Sequence, residues 1–600
     1  MKTILLPSIV IAVVLGACSS AKENSAPLAE PVPAPKTQPG PQPDLGPLVK
    51  AAEPPPPISG GTLAVAKDGN TIVAADPDRD RVHVVDLASR AVRLSVELPK
   101  GSEPGRVAVD DAGRAHVALR GSHEIATIDL ATGEVTRRPA CTAPRGIAYR
   151  AAGDRVIVAC ASGELVSFAA GGGPALDRRT LGRDLRDVLV TKADGLKVTK
   201  FRQAKVLRVA GDGTSQDEGG LDGANLAWRA VAMPETNDGD QTSEDERVAV
   251  IAQEPTPEPV RTDPGGYGSS SAGLGGDCGT ALGIVSTRLE IVGRGSVRIP
   301  SAVLPVDLAT NGRELAVVAA GNAFTKQLPQ IYVLFAQQVE GATDNCVPAV
   351  QGNVPGQAIA AAFDGKDELV VQTREPAAIH IMTEDRRRPW KTIALPGISV
   401  ADTGHAIFHS NAGGFLACAS CHAEGGDDGR TWTFVDMGPR RTPSLRGTTK
   451  GTEPFHWDGD MADLRHLVDN VFVGRMSGPK VDDAQLDALG GWMFTLPPPP
   501  RLGAETEAAV RGKTLFDQRC TSCHTGSMLT NNRSFDVGTG GTMQVPSLVG
   551  VAWRAPFIHT GCAETLFDRF SPACGGSAHG EVADLRRDQI SDLVAFLETL

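Results

Sequence analysis

Between residue 62 and about residue 397, the chain repeats a pattern of short apolar stretches separated by polar turns. The first copy begins Leu63-Ala-Val-Ala-Lys-Asp-Gly-Asn-Thr-Ile-Val-Ala-Ala, and a second begins at Arg106. Apolar residues that alternate on either side of Asp-Gly or Gly-Asp pairs predict β-hairpins. A repeat of about 40 residues with four strands in each copy indicates a β-propeller. Residues 59–397 therefore predict an all-β propeller of seven blades, with six or eight blades as the alternatives.

Two details of this segment refine the prediction. Several copies close with Val-x-Asp-Leu, as in Arg81-Val-His-Val-Val-Asp-Leu87, which resembles YVTN-type propellers. One copy is longer than the others, because residues 233–280 are rich in Gly, Pro and acidic residues and predict an exposed loop. We interpret the histidines of the segment as core or solvent-facing residues; they are His83, His116, His123 and His380. The fold by itself assigns no function to the propeller.

After residue 398 the pattern changes to helical spacing, and this part of the chain is duplicated. The matching segments, at offsets of 102 to 104, are 418–422 with 520–524, 442–445 with 545–548, 455–459 with 557–561, and 485–496 with 589–600. The last pair places apolar residues at helical spacing. Pro497–Pro500 ends the first copy. The sequence predicts two tandem all-α domains, over residues 398–496 and 503–600.

Each copy contains one Cys-x-x-Cys-His motif, the signature of covalent c-type haem attachment. The motifs are Cys418-Ala-Ser-Cys421-His422 and Cys520-Thr-Ser-Cys523-His524. Residues three and four apart share a helix face, so both thiols can form thioethers while the His nitrogen reaches the iron. A zinc or thioredoxin-like site is the competing interpretation. Because both histidines directly follow the second Cys, we predict two cytochrome c folds, two bound haem c groups, and His422 and His524 as proximal iron ligands.

The N-terminus predicts export. A positive Lys2 precedes a short apolar stretch from Ile4 to Val14, which has the shape of a secretory signal. Leu15-Gly16-Ala17-Cys18 resembles a bacterial lipobox, which makes Cys18 the lipidated first residue; an ordinary signal peptide cut nearby is the alternative. Ser19 resembles lipoproteins of the Gram-negative outer membrane, with the folded part facing the periplasm. Residues 1–18 are thus a predicted signal peptide, and the Pro-rich residues 19–58 a predicted tether.

The cysteine count agrees with an exported protein. Of eleven cysteines, one is Cys18 and four belong to the haem motifs. The remaining six form neighbouring pairs along the chain, and an even remainder is typical of disulfides in exported proteins. The pairs suggested by proximity are Cys141 with Cys160, Cys278 with Cys346, and Cys562 with Cys574.

The charge pattern excludes one class of partner. The formal net charge is −12, and the two signs are interspersed without a basic stripe. A nucleic-acid partner is therefore not expected. The expected partners are the membrane, through the lipid anchor, and a periplasmic protein that donates or accepts electrons.

The duplicated region resembles the di-haem cytochrome c peroxidase and MauG family. The matching segments are Arg441-Thr-Pro-Ser-Leu445, Phe455-His-Trp-Asp-Gly459, Val545-Pro-Ser-Leu548 and His559-Thr-Gly561. The resemblance implies that the first haem reacts with peroxide and that the second haem supplies its electrons through Trp457. A packed aromatic is the alternative for Trp457. The family also holds a calcium ion between its two domains, whose ligands the sequence does not place.

The first haem site departs from the family pattern at one residue. The family has a distal Glu just before a Met, whereas this chain reads Val473-Gly474-Arg475-Met476. Arg475 cannot act as a general base, because a guanidinium stays protonated. Met476 could instead ligate the iron, and a haem held by His and Met transfers electrons rather than binding peroxide. Met437 and His456 are further candidates, and ordinary packing is the alternative for all three.

The second haem site lacks the Met or Tyr ligand of the family. The corresponding segment is Ser571-Pro-Ala-Cys-Gly-Gly-Ser-Ala-His579, and we favour His579 as the distal ligand. Met543 and Met528 are the alternatives, while the resemblance gives His559 a supporting role. A His/His pair lowers the reduction potential relative to His/Met, so this residue sets the direction of electron flow.

Three functions follow from these residues. The leading prediction is a peroxidase-like di-haem oxidoreductase, whose propeller docks an electron donor or partner. The second is an electron carrier with both irons six-coordinate, which the missing Glu favours. A propeller-based dehydrogenase is the third, and it is disfavoured because the sequence has no motif for an organic cofactor.

Overall fold

A computed structural model describes residues 39–191, 195–210, 214–234, 247–270, 281–342 and 347–600. Seven four-stranded antiparallel sheets follow one another along the chain and confirm a seven-bladed β-propeller. Blade one comprises β1 (Leu63–Val65), β2 (Thr71–Asp76), β3 (Arg81–Asp86) and β4 (Ala91–Glu97); blade two comprises β5 (Pro104–Val109), β6 (Arg114–Leu119), β7 (Glu124–Asp129) and β8 (Val135–Pro139); and blade three comprises β9 (Pro144–Arg150), β10 (Arg155–Cys160), β11 (Glu164–Ala169) and β12 (Ala175–Thr180). Blade four comprises β13 (Leu185–Val190), β14 (Leu196–Lys200), β15 (Lys205–Val209) and β16 (Ser215–Gly220), and blade five comprises β17 (Leu226–Ala232), β18 (Val248–Pro255), an inserted hairpin of β19 (Gly268–Ser270) and β20 (Ala281–Gly283), then β21 (Val285–Ile291) and β22 (Gly295–Ile299). Blade six comprises β23 (Pro305–Thr310), β24 (Glu314–Ala319), β25 (Ile331–Phe335) and β26 (Val350–Gly352), and blade seven comprises β27 (Ala358–Phe363), β28 (Leu369–Arg374), β29 (Ala377–Met382) and β30 (Pro389–Ala394).

The place of a strand in its blade follows from its apolar pattern. In the first blade, β2 has the sequence Thr-Ile-Val-Ala-Ala-Asp, and every residue is buried. Strand β4 forms the outer edge of the same sheet and alternates exposed with half-buried residues. An antiparallel strand with one solvated face shows this alternation, whereas a strand covered on both faces does not.

The ring closes without exchange of a strand between the first and last blades. Thr62 Oγ1 donates to Gln372 Oε1 (2.8 Å), and Gln372 Nε2 donates to the Ala75 carbonyl (2.8 Å). The buried ion pair of Arg374 with Asp78 (2.8 Å) joins the same two blades. Polar side chains and a shared apolar core therefore close the propeller.

The long fifth blade corrects one prediction. Residues 248–255 form the buried strand β18, and the chain that follows makes main-chain contacts with the C-terminal region at two points. The N–H of Val260 donates to the Thr433 carbonyl (2.8 Å), and the N–H of Tyr267 donates to the Arg475 carbonyl (2.9 Å). The prediction of an exposed loop over residues 233–280 is therefore wrong for 248–255, Val260, Tyr267 and Gly268, whereas residues 257–259, 261 and 263–264 are exposed as predicted. Glycine-rich composition suits close backbone contact as well as it suits a solvated loop.

The end of the predicted tether also belongs to the folded body. Val49 N–H donates to Thr403 Oγ1 (2.9 Å), and Trp492 Nε1 donates to the Pro55 carbonyl (2.8 Å). Extended Pro-rich backbone makes no hydrogen bonds within itself, so its polar groups remain available to a neighbouring surface. Residues 39–58 thus differ from a free linker, while residues 19–38 lie outside the described part of the chain.

The C-terminal region contains short helices and two β-hairpins. Helix α1 (Ala336–Glu340) belongs to blade six and precedes this region. The elements of the first half of the region are α2 (Thr403–His409), α3 (Cys418–Cys421), β31 (Thr431–Phe434), β32 (Gly438–Arg441), α4 (Leu464–Leu467), which continues as a π-helical segment (Val468–Arg475), and α5 (Asp483–Met493). Those that follow are α6 (Glu507–Arg519), β33 (Ser534–Asp536), β34 (Thr542–Gln544) and α7 (Arg587–Leu597). Because irregular backbone and hairpins fill much of this region, two all-α domains are not confirmed. Within the described ranges, no helix is long and apolar enough to cross a bilayer.

The backbone of this region nevertheless repeats itself. Helices α5 and α7 both span 11 residues, and a Gln side chain, Gln485 or Gln589, accepts from the N–H three residues earlier (3.1 and 3.0 Å). The β-bridge between Phe455 and Met461 recurs 102 residues later between Phe557 and Ala563. We refer to residues 398–496 as the first half and to residues 503–600 as the second half.

The cysteines outside the two Cys-x-x-Cys-His motifs form disulfides where they are described. Cys141 is bonded to Cys160 in blade three, and Cys562 is bonded to Cys574 in the second half. Both predicted pairings are confirmed. The remaining predicted pair, Cys278 with Cys346, and the predicted lipidation site Cys18 lie outside the described residues.

Candidate functional site

The first Cys-x-x-Cys-His motif lies on the short helix α3, against the propeller. Gln253 Nε2, from the buried strand β18, donates to the Ser420 carbonyl in the middle of the motif (2.7 Å). Burial raises the pKa of the Cys418 thiol to about 12. His422 Nδ1 lies 3.3 Å from the Gly426 carbonyl, and burial lowers the pKa of His422. If Nδ1 donates to that carbonyl, Nε2 is the free nitrogen.

The second motif has the same arrangement but a more open setting. It begins at the C-terminal end of α6, and His524 Nδ1 lies 3.0 Å from the Leu529 carbonyl. Burial raises the pKa of Cys520 to about 11 and lowers the pKa of His524. Ser522 is exposed, whereas its equivalent Ser420 is buried. The propeller therefore covers the first motif and leaves the second accessible.

The four motif cysteines are unpaired in the described structure. The other four described cysteines form the two disulfides. The motif thiols thus remain available for attachment to a prosthetic group.

His579 lies close to the histidine of the second motif, His524. The centroids of its ring and the His524 ring are 6.3 Å apart, with 36° between the planes. Burial and the neighbouring Arg569 lower the pKa of His579 to about 3. Its buried Nδ1 has no hydrogen-bond partner in the described residues. The alternative ligand Met543 is buried on β34, and Met528 is half-buried.

Trp457 lies where the two halves meet. Its Nε1 donates to the Arg441 carbonyl (2.8 Å), and its own carbonyl accepts from the N–H of Gln544 in the second half (2.9 Å). Its ring packs against those of His456, at 4.0 Å between centroids, and Phe434, at 5.2 Å. The equivalent residue of the second half, His559, accepts at its carbonyl from the Arg441 N–H (2.7 Å).

Arg475 ends the π-helical segment and is buried. Its Nη1 donates to the Tyr267 hydroxyl of the propeller insertion (3.2 Å) and lies 3.4 Å from His456 Nε2. The next residue, Met476, is buried in the core that also contains Tyr267. Met437, the other methionine candidate, is only partly buried beside that core.

An ionic cluster that the sequence does not reveal lies next to the first motif. Glu424, two residues after His422, is surrounded by arginines of the propeller. Its carboxylate accepts a hydrogen bond from Arg186 (2.5 Å), forms an ion pair with Arg145, and lies 3.7 Å from the Arg120 guanidinium. Burial opposes ionisation of Glu424, but these guanidinium groups outweigh it and hold its pKa well below the usual value. Nothing in the spacing of the sequence connects Glu424 to strands more than 200 residues away.

Tyr267 and Gln253 were also missed, because the loop that contains Tyr267 was predicted to be exposed. The scarcity of tyrosine, with three in the whole chain, was the only available signal for Tyr267. The expected calcium site finds no support, since the described residues contain no group of three or more His, Cys, Asp or Glu placed to hold a metal ion.

Comparison with known proteins leaves the family open. No protein-family description matches the sequence, and no curated protein matches it. Among solved structures, the chain is similar to a hydrazine synthase chain from Kuenenia stuttgartiensis (15% identity, 57% of this chain and 99% of that chain, TM-score 0.43). A xenon-pressurised structure of hydrazine synthase from the same organism also matches (22% identity, 33% of this chain and 86% of that chain, TM-score 0.30). Virginiamycin B lyase from Staphylococcus aureus matches as well (11% identity, 54% of this chain and 94% of that chain, TM-score 0.36). At these values none of them assigns a function to this chain.

Proposed function

We propose that this protein is a di-haem c-type oxidoreductase of the cytochrome c peroxidase type, fused to a β-propeller. The observation that supports it best is the pair of Cys-x-x-Cys-His motifs in two repeated halves that meet at Trp457. The N-terminal sequence adds export, a lipid anchor at Cys18 and a periplasmic redox partner to the proposal.

The residues present fit haem attachment. Each motif offers two unpaired thiols and a histidine whose Nδ1 lies at a main-chain carbonyl, which orients Nε2 for a metal. Bound haem would supply one-electron chemistry at both places. The protein's own part is to hold His422 and His524 in position, to exclude water from the first motif, and to keep Trp457 between the halves as a relay.

We propose His579 as the distal ligand of the second haem, because its ring faces His524. In the His579→Ala variant, low-temperature electron paramagnetic resonance of the oxidised holoprotein should show one low-spin signal replaced by a high-spin signal. His466→Ala is the control, since His466 is an exposed histidine on α4. An unchanged low-spin signal in His579→Ala would assign the ligand to Met543 or Met528.

A second candidate function is an electron carrier with both irons six-coordinate. Arg475 in place of an acid, and the buried Met476 next to it, favour this candidate. The two functions differ at the first haem, where the enzyme needs an open coordination position.

Electron paramagnetic resonance of the oxidised protein, with and without hydrogen peroxide, tests the proposal. A high-spin ferric signal that changes when peroxide is added is the result expected for the enzyme. Two low-spin signals in the oxidised protein that ignore peroxide, together with a low-spin signal from the one haem that stays ferric in the half-reduced protein, would overturn the enzyme and leave the carrier.

A further inference from the structure

Arg475 is a buried arginine without a carboxylate partner. Its exposed fraction is 8%, and no carboxylate of the described residues lies within 4.0 Å of its guanidinium. Eight arginines are buried in the described part of the chain, and six of them have such a partner: Arg106, Arg186, Arg374, Arg386, Arg440 and Arg441. The other exception, Arg138, donates to a main-chain carbonyl, donates to Thr127 and lies over the Phe168 ring.

A buried charge is costly unless it is paired. The Asp460 carboxylate attracts Arg475 across the intervening His456, but no carboxylate of the described residues is in direct contact with the guanidinium. Arg475 directs Nη1 at two neutral acceptors, the Tyr267 hydroxyl and His456 Nε2. Its Nε and Nη2 have no acceptor in the described residues. The guanidinium therefore retains donors for a group that the chain itself does not supply.

The neighbours of Arg475 have no acceptor left to offer. His456 Nδ1 lies 2.8 Å from the Asp460 carboxylate, so it carries the proton there and Nε2 accepts from Arg475. The Tyr267 oxygen accepts from Arg475, which leaves its own O–H without an acceptor among the described residues. What remains at this place is a pair of hydrogen-bond donors without acceptors, one cation and one hydroxyl.

The propeller insertion fixes Tyr267 in this place. The N–H groups of Gly265 and Tyr267 donate to the carbonyls of Gly474 and Arg475 (both 2.9 Å), and Ser477 Oγ donates to the Gly268 carbonyl (3.1 Å). The Tyr267 ring packs against Phe434, at 6.1 Å between centroids. Cys421 of the first motif packs against the hydrophobic core that contains Tyr267. Tyr267 and Arg475 thus lie beside the first haem motif.

We propose that Arg475 and Tyr267 form a binding pocket for a small inorganic anion at the first haem, with Tyr267 supplied by the propeller. This inference rests on the proposed function, because it requires an open position at that iron. The anion places a negative charge in direct contact with Arg475 and accepts a hydrogen bond from the Tyr267 hydroxyl.

Fluoride titration of the oxidised holoprotein, followed by its absorption spectrum, tests this pocket. A hydrogen bond to a charged group contributes about 1.5–3 kcal/mol. The Tyr267→Phe variant should therefore bind fluoride about tenfold more weakly, and Arg475→Gln at least as weakly. Tyr149→Phe, a partly exposed tyrosine of blade three, is the matched control and should bind as the unaltered protein does.

The outcomes separate this pocket from the proposed function. If the unaltered protein binds no fluoride and both signals are low-spin, the open iron fails, and the pocket fails with it. If the unaltered protein binds fluoride and both variants bind it equally well, the iron is open but the pocket is overturned. That result is expected if Arg475 pairs with a haem propionate. Should Arg475→Gln not fold, Tyr267→Phe decides alone, because it keeps the ring that packs on Phe434.

Discussion

At the scale of single residues, Glu424 joins the first Cys-x-x-Cys-His motif to the propeller. Its backbone adopts a left-handed conformation (φ 53°), which brings its side chain among arginines from two blades. Ser59, from the segment that enters the propeller, donates a further hydrogen bond to it (2.5 Å). A buried carboxylate with this many donors is held in one position. The residue therefore fixes the orientation of the helix turn that ends at His422.

Glu424→Gln should lower the free energy of unfolding by about 3–5 kcal/mol, because it leaves Arg145 and Arg186 without their counter-charge. Urea unfolding of the holoprotein, followed by circular dichroism, measures this change. Asp483→Asn is the control: Asp483 pairs with Arg465, but its side chain is 99% exposed, so no measurable change is expected. Equal stability of Glu424→Gln and the unaltered protein would mean that the arginines find other partners.

At the scale of elements, histidines replace apolar residues in the middle of several strands. His116 on β6 lies 2.9 Å from Asp110 and 3.0 Å from Thr127. His380 on β29 lies between Thr373 (3.1 Å) and Thr392 (3.0 Å). Both rings are fully buried, which confirms their interpretation as core histidines. Strand-to-strand hydrogen bonds of this kind require a fixed protonation state.

These buried histidines predict acid sensitivity of the fold. Burial lowers the pKa of His380 to about 4, and burial lowers that of His409 on α2 to about 3. Since an unfolded histidine has a pKa near 6.5, the unfolded chain binds protons first as the pH falls. Stability should be full above about pH 6.5 and decrease towards pH 4, by roughly 1.4 kcal/mol per pH unit for each such histidine.

Urea midpoints measured between pH 7.5 and 4.5 check this prediction. In His380→Gln the free energy of unfolding should depend less steeply on pH, because the unfolded chain takes up about one proton fewer relative to the native state. His466→Gln is the control, because His466 is exposed on α4. A slope that is unchanged in His380→Gln would show that this histidine does not account for the acid sensitivity.

At the scale of the whole molecule, blades four to seven of the propeller share one hydrophobic core with the first half. Apolar side chains between Phe201 and Met382 and between Ile407 and Leu496 form this cluster. The second half has a core of its own, drawn from residues 516 to 600 and containing Cys574. Between the second half and the propeller, Arg183 donates to the Ala552 carbonyl (2.8 Å) and to the Glu598 carboxylate (2.5 Å).

Scanning calorimetry should therefore show two transitions, one for the propeller with the first half and one for the second half. Removal of a native disulfide costs about 2–5 kcal/mol. Replacing Cys562 and Cys574 by Ser should lower only the transition of the second half. Replacing Cys141 and Cys160 by Ser is the matched control and should lower only the other transition. A single transition that both variants lower equally would show that the halves unfold together.

Local pattern was sufficient for much of the architecture and for the attachment motifs. The alternation of apolar residues in strands such as β2 and β4, with glycine turns between them, specified the propeller and its seven blades. The Cys-x-x-Cys-His spacing specified which thiols and histidines stand together, because five consecutive residues need no tertiary structure to be neighbours. The pairings of Cys141 with Cys160 and Cys562 with Cys574 were also predictable, since each pair is close in sequence.

Only the tertiary structure decided what surrounds those motifs. Tyr267 reaches Arg475 across 208 positions, and Arg186 reaches Glu424 across 238. No periodicity encodes such distances; they depend on how a 600-residue chain closes its ring and lays the first half against it. The insertion of blade five and the Pro-rich segment were misjudged for the same reason, because composition describes what a segment can do and packing determines which surface it covers.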